Sequence, residues 1–144
     1  MLVSKILETK SSGGVISVTP ASTVADAAKL LSEKGIGTVV VSKNGQSLDG
    51  ILSERDIVRA IGAAGTGCLA DPVSSLMTAK ITTCNPSEQA DAVLTKMTQG
   101  RFRHMPVLDS GKMIGLISIG DVVKARLAEL AMEKDALEGM IMGH

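Results

Sequence analysis

The apolar positions of the chain predict one set of five elements that occurs twice. Continuous β-branched runs bounded by turn residues indicate strands, whereas apolar residues at i, i+3, i+4 and i+7 indicate helices. The first set comprises a strand at 15–18, a helix capped by Thr23, a strand at 38–41, a strand at 47–52 after an Asn-Gly turn, and a helix after Ser53. The second set comprises a strand at 81–84, a helix containing Ala90, Val93 and Met97, strands at 105–108 and 113–117, and a helix after Ser118. A pattern that recurs in the same order indicates an internal duplication.

Short lead-ins precede both sets and define the predicted domain boundaries. Residues 3–7 begin a helical or irregular segment, and residues 73–77 echo it before the second set. The run Ser11-Ser12-Gly13-Gly14 is typical of a flexible break, and the Gly- and Ala-rich stretch at 62–71 is typical of a linker. The predicted domains are a first repeat with its lead-in at 1–66 and a second repeat at 67–144.

The second repeat continues into a long C-terminal helix, which we expect to run from Ile119 towards Met142. Its apolar residues form one stripe, which Lys134 interrupts. The stripe consists of Val123, Leu127, Leu130, Leu137 and Ile141. The helix either packs back on its own domain or pairs with a partner in a dimer. We favour the dimer, because two small repeats have little surface to cover so long a stripe.

Composition and charge narrow the class of protein. Of the 144 residues, 44% are apolar, yet no run approaches the length of a membrane helix. The N-terminal residues lack a basic region followed by an apolar one, so we expect a soluble cytoplasmic protein in which Cys68 and Cys84 are reduced and structural. The 15 basic residues balance the 15 acidic ones and Phe102 is the sole Phe, Tyr or Trp, which argues against nucleic-acid binding.

One motif stands at the same place in both repeats, where a strand runs into a helix. Gly-x-x-Ser-x-x-Asp occurs at 50–56 and again at 115–121. In one interpretation the Ser and Asp only cap the helix. In the other, the first-turn amides and the helix dipole attract a phosphate while Asp accepts sugar hydroxyls. Repetition of the whole neighbourhood favours the second interpretation.

The chain resembles a pair of cystathionine β-synthase (CBS) domains, also called a Bateman module. The resemblance rests on the tandem repeat, on both motif copies and on the run His104-Met105-Pro106-Val107. The resemblance covers most of the chain and implies an α/β fold of two tandem CBS repeats packed sheet to sheet, followed here by the long helix. It also implies clefts for adenosine-containing ligands, with AMP, ADP or ATP expected first. The alternatives are an NAD(H) or S-adenosylmethionine sensor, or a structural dimerisation module without a ligand.

The resemblance assigns candidate roles by position. Asp56 and Asp121 match the residue that holds the ribose, and Ser53 and Ser118 match the one near the phosphate. Arg103 and His104 match basic residues near phosphate, whereas the first repeat has Gly37 and Thr38 there, so we expect the second site to bind nucleotides better. Arg55 either points into the first cleft or pairs with its helix neighbours. The remaining ligand-binding candidates are Ile16, Ser17, Val18, Ile81, Thr82, Thr83, Met105 and Pro106.

Catalysis has little support in the sequence. The chain lacks a Gly-rich phosphate loop and a Cys or His metal cluster, and its only histidines are His104 and His144. We therefore expect a regulatory module with no catalytic residues and no metal. Its expected partners are an adenine nucleotide, a second copy through the repeats and the C-terminal helix, and an effector protein of unknown identity, with neither nucleic acid nor membrane.

Overall fold

A computed structural model of the chain describes residues 1–10 and 15–142. Its helices are α1 (Val3–Thr9), α2 (Val24–Lys34), α3 (Glu54–Ala64), α4 (Ala90–Gly100) and α5 (Ile119–Ile141). Its strands are β1 (Ser17–Val18), β2 (Thr38–Val41), β3 (Gly50–Ser53), β4 (His104–Asp109) and β5 (Lys112–Ser118). The expected break at 11–14 and His144 lie outside the described residues.

The helix α2 begins and ends where its sequence predicts. The Thr23 hydroxyl accepts a hydrogen bond from the Asp26 amide at 3.1 Å, which satisfies one of the unpaired first-turn donors. Gly35 ends the helix in the left-handed conformation with φ of 63°, which a residue without a Cβ adopts at little cost. The buried face contains Val24 and Leu31, so the apolar spacing of this helix is confirmed.

The first repeat forms a three-stranded sheet in the order β1-β2-β3. β1 pairs with β2 in parallel and β2 pairs with β3 in antiparallel orientation, with Val40 opposite both Ser17 and Ile51. All four residues of β2 are buried, as its continuous apolar character predicts. β3 begins later than expected because Asp49 folds into the turn, where its carboxylate accepts the Lys43 amide at 2.8 Å.

The second repeat differs from the expected elements at its first strand. Residues 81–84 form no strand, and only Cys84 makes an isolated parallel bridge, to Val107. β4 and β5 form the expected hairpin, with Ser110 and Gly111 at positive φ in the turn. The proposed linker is also more regular than expected, because α3 extends to Ala64 and a 3₁₀ helix follows at Thr66–Ala70.

The described residues divide into two compact units. The Asp121 unit contains residues 1–10, 83–108 and 115–142, and the Asp56 unit contains residues 15–82 and 109–114. The lead-ins are therefore exchanged: α1 buries Val3 and Ile6 in the core of the Asp121 unit. Val73, from the second lead-in, lies in the core of the Asp56 unit. The repeat boundary at 66 and 67 describes the sequence pattern and stays a prediction.

The exchange explains the glycine of the repeated motif. A Cβ on Gly115 would lie 2.5 Å from the Leu7 side chain, and a Cβ on Gly50 would lie 2.6 Å from the Met77 sulfur. Both distances are shorter than the contacts that Cβ atoms make in proteins, which essentially never fall below 3.0 Å. Each motif glycine thus provides room for a side chain of the lead-in that packs in its unit.

The helix α5 has the expected length but packs on its own unit over only part of it. Val122 and Ala125 are buried, whereas the predicted stripe is exposed. The exposed stripe residues are Val123, Leu127, Leu130, Leu137 and Ile141. None of the helices in the described ranges combines the length and the hydrophobicity that a membrane crossing requires.

Candidate functional site

Both motif copies form complete capping boxes. The Ser118 hydroxyl accepts the Asp121 amide at 3.1 Å, and the Asp121 carboxylate accepts the Ser118 amide at 2.8 Å. The Ser53 and Asp56 pair makes the same bonds at 3.2 and 2.9 Å. Both copies therefore serve as caps. A capped carboxylate still has lone pairs for further donors, so this structural role is compatible with a binding role.

Lys10 distinguishes the Asp121 site from the Asp56 site. Its Nζ donates to Asp121 Oδ2 at 2.9 Å and to the Leu116 carbonyl at 2.7 Å. In the Asp56 unit the carbonyl at the matching position, that of Ile51, instead accepts the backbone amide of Thr78 at 2.9 Å. The Asp121 site thus has a cation held directly on its carboxylate.

The pKa of Asp121 reflects this environment. Burial alone would raise the pKa, but the hydrogen bonds from Lys10 and Ser118 outweigh it and hold the pKa below the ordinary value of 3.8. The carboxylate is therefore charged at neutral pH, which is the form that accepts sugar hydroxyls.

Arg103 and His104 lie beside the start of α5. The backbone amide of Ile119 donates to the Arg103 carbonyl at 2.7 Å, which fixes this segment next to the capping box. The Arg103 side chain is exposed, whereas His104 is half-buried at the start of β4. Burial lowers the pKa of His104, and the nearby charges of Lys10 and Arg103 lower it further, against the opposing effect of Asp121. The imidazole is therefore mostly neutral at pH 7, and the lasting positive charge comes from Lys10 and Arg103.

The other candidates of the second repeat divide between the two units. Cys84 lies alongside β4 and donates its amide to the Pro106 carbonyl at 3.1 Å, so Thr83 and Pro106 belong to the Asp121 unit. Ile81 and Thr82 belong to the Asp56 unit, and their role as ligand-binding residues stays a prediction. Met105 is fully buried in the core.

The cysteine beside this segment is a protonated thiol. Burial raises the pKa of Cys84 to about 11, with a further contribution from Glu88. A thiol of this kind is a poor nucleophile at neutral pH. Residues 1–10 and 15–142 also hold no group of three His, Cys, Asp or Glu side chains suited to a metal ion.

The Asp56 site is less charged. The Glu54 amide donates to the Gly37 carbonyl at 2.8 Å, as the Ile119 amide donates to the Arg103 carbonyl in the other unit. Gly37 therefore occupies the position of Arg103 but has no charged side chain. Arg55 is exposed on α3 and, within the part of the chain that the structure describes, makes no ion pair with Glu54 or Asp56. The structure therefore does not show the pairing of Arg55 with its helix neighbours, which was one of the two alternatives for this residue.

The first strand of the Asp56 unit is half-buried. The Ile16 and Val18 side chains pack against the core of this unit. Side chains alternate along a strand, so Ser17 points to the opposite face. Ser17 is therefore the polar side chain of this segment that faces away from the core, while the partly buried Ile16 and Val18 pack against it.

Sequence reasoning missed Lys10. The residue follows a helix that was assigned to the first repeat, whereas its partner lies in the second repeat, so no local pattern connects them. A lysine at the matching place in the second lead-in, Lys80, was the available signal. It indicates a repeated basic residue but not which carboxylate it meets.

The comparisons with known proteins identify the family. The CBS domain model matches twice, at residues 4–63 and 73–128, which together make up most of the chain. The chain therefore belongs to the CBS domain family, as the sequence resemblance predicts. The two matches also confirm the tandem repeat.

Relatives and solved structures agree with this assignment. The mitochondrial CBS domain-containing protein CBSX3 of Arabidopsis thaliana is 35% identical over 98% of this chain and 72% of its own length. A putative signal-transduction protein with CBS domains from Burkholderia ambifaria is 43% identical, with a TM-score of 0.81 over 89% of this chain and 95% of that one. A CBS domain protein from Pyrobaculum aerophilum, solved in complex with AMP, is 26% identical, with a TM-score of 0.76 over 92% and 99% of the two chains.

Proposed function

We propose that this chain binds an adenine nucleotide at the Asp121 site and transmits the occupancy of that site to a partner. The observation that carries the proposal is the group of charges at the start of α5, where Lys10 contacts Asp121 and both influence His104. The AMP complex of the Pyrobaculum aerophilum relative supports the class of ligand.

The chemistry of the site fits the two ends of a nucleoside monophosphate. Asp121 is charged and exposes part of its carboxylate, which suits the two hydroxyls of a ribose. In the first turn of α5 the amides of Ser118, Ile119 and Asp121 are already hydrogen-bonded within the protein, so the Gly120 amide and the positive end of the helix dipole are the features that favour a phosphate there. Arg103 and Lys10 supply two cations in addition. We therefore place the ribose on Asp121 and the phosphate near Ser118 and Arg103.

The charge favours AMP, ADP or ATP over less acidic ligands. NAD(H) and S-adenosylmethionine share the adenosine portion and remain the alternative ligands. The Asp56 site lacks a cation at Gly37, so it takes a less charged adenosine compound or stays empty. A structural module without a ligand is the alternative from a different class, since both motif copies also function as caps.

The output of the module is regulatory. CBS domain proteins of this kind generally regulate rather than catalyse, and we infer that this chain does the same in the cytoplasm. We further infer a homodimer through the repeats and the exposed stripe of α5, with an effector protein as the receiver of the signal. Lys10 joins the ligand site to α1, so the lead-in is the segment that a ligand would affect first.

A ligand panel tests this proposal. Thermal unfolding would be followed with AMP, ADP, ATP, NAD(H), S-adenosylmethionine and adenosine in turn. A ligand at 100 times its dissociation constant should add about 2.7 kcal/mol to the free energy of unfolding. Stabilisation by the phosphorylated ligands supports the proposal. An unchanged midpoint with every ligand would favour the structural module.

A further inference from the structure

The outer part of α5 has an apolar surface without contacts to its own unit. The second CBS match ends at residue 128, but the helix continues to Ile141. All side chains from Leu130 to Glu138 are exposed, and Leu137 is 57% exposed. A helix extension of this length is marginal without packing partners, because most helical stability in proteins comes from tertiary contacts.

The exposed stripe has the spacing of a coiled-coil seam. Successive seam positions are separated alternately by four and three residues, as at the a and d positions of a heptad. These positions are Val123, Leu127, Leu130, Lys134, Leu137 and Ile141. A surface of this kind packs against another helix with the same spacing of apolar residues. The α5 helix of a second copy has that spacing.

We propose that α5 pairs with α5 of a second copy in antiparallel orientation. In the register that matches the seam, Leu127 faces Leu137 of the second copy and Val123 faces Ile141. Lys134 then faces Leu130 of the second copy. The pairing rests on the homodimer of the proposed function but not on nucleotide binding.

The charges along α5 determine the orientation. In a parallel pair, Lys134 would face Lys134 of the second copy at the centre of the seam, and Glu133 would flank Glu138. Both contacts are repulsive. In the antiparallel register Lys124 lies beside Glu138 of the second copy at both ends of the seam, and one like-charge contact, Glu133 with Glu133 of the second copy, lies at the centre next to Lys134. Two attractive pairs against this single repulsive contact favour the antiparallel pair over the parallel one, in which Lys134 meets Lys134 and Glu133 flanks Glu138 twice.

Cysteine cross-linking in the full chain distinguishes the orientations. The native thiols Cys68 and Cys84 are buried, so engineered cysteines on α5 would react first. Leu127→Cys and Leu137→Cys proteins would be oxidised separately and after mixing with subunit exchange. We expect a disulfide-linked dimer only in the mixture, because in the antiparallel pair two Leu127 positions lie about 15 Å apart along the axis. Cross-linking of either variant with itself, or none in the mixture, would overturn the proposal.

A charge substitution provides the second test. Lys134→Glu should raise the dimer dissociation constant about tenfold in sedimentation, since it places like charges together at the interface. Lys29→Glu is the matched control: Lys29 is 76% exposed and lies 4.0 Å from Glu33, while Lys134 is 75% exposed and lies 3.8 Å from Glu138. Equal effects of the two substitutions, or a monomeric wild-type protein, contradict the pairing. Nucleotide-induced stabilisation of both variants should stay unchanged, which separates this test from that of the ligand site.

Discussion

Replacing Lys10 with Met should destabilise the fold through one ion pair. Lys10 Nζ lies 2.9 Å from Asp121 Oδ2 and 2.7 Å from the Leu116 carbonyl, and the two hydrogen bonds between Ser118 and Asp121 do not involve it. Met keeps the length of the apolar stem, so the substitution removes the charge and the donors while the packing of α1 is retained.

The expected loss is about 1 kcal/mol. A hydrogen bond to a charged group contributes about 1.5–3 kcal/mol when buried, while an exposed ion pair contributes about 0.2–1 kcal/mol. The two side chains are 30% and 28% exposed, which places this pair between those limits after solvent screening is considered. For a chain of this size, the loss corresponds to a decrease of about 4 °C in the melting temperature.

Urea unfolding at pH 7 and at acidic pH measures this effect and its origin. The folded pKa of Asp121 is depressed, so its contribution is present above the ordinary value of 3.8 and is lost as the pH falls through the folded pKa. The difference between wild type and Lys10→Met should therefore shrink in acid. Lys5→Met is the control in the same lead-in, because Lys5 and Glu8 are 62% and 69% exposed and lie 3.7 Å apart. Equal losses for the two variants, or a loss independent of pH, would show that the ion pair of Lys10 with Asp121 is not the source of the stabilisation.

Two further predictions follow from the glycine and histidine contacts. Gly115→Ala should lower the free energy of unfolding by about 1–3 kcal/mol, because its Cβ would meet Leu7 at 2.5 Å. The control Gly62→Ala, at an open position within α3, should raise it by about 0.5–1 kcal/mol. An unchanged stability of Gly115→Ala in thermal unfolding would contradict the close approach. AMP affinity should rise as the pH falls below the ordinary histidine pKa of about 6.5, since the pKa of His104 is lowered and its positive charge beside the phosphate appears only there; because the folded pKa is lowered, that same protonation opposes folding. The rise should vanish in His104→Ala, and a persistent rise would exclude His104 as its source.

Much of the fold follows from local patterns in the sequence. The apolar spacing and the capping residues predict α2 and α5, and the continuous β-branched run predicts β2. These features are encoded by neighbouring residues, and the repeat makes each prediction twice. The internal duplication was predicted for the same reason, whereas its CBS architecture was implied by the resemblance to that family.

The remaining features depend on contacts that are distant in sequence. The strand expected at 81–84 has suitable residues but makes only one bridge, from Cys84 to Val107 of β4, and the segment is divided between the two units after Thr82. The ion pair of Lys10 with Asp121 spans most of the chain, and it requires the exchange of lead-ins. Periodicity within a segment carries no information on which unit that segment joins. Whether Ser118 and Asp121 contact a ligand stays a prediction, since capping alone accounts for the same residue types.

Calorimetric titration with AMP measures nucleotide binding at the Asp121 site itself. Wild type, Asp121→Ala and Asp56→Ala would be compared, because both substitutions remove the same capping carboxylate at a cost of about 1 kcal/mol of folding stability. We expect Asp121→Ala to weaken AMP binding at least tenfold, since it removes the acceptor of the ribose hydroxyls, while Asp56→Ala leaves the tightest binding unchanged. Unchanged AMP affinity in folded Asp121→Ala, or equal losses in the two variants, would contradict this role of Asp121.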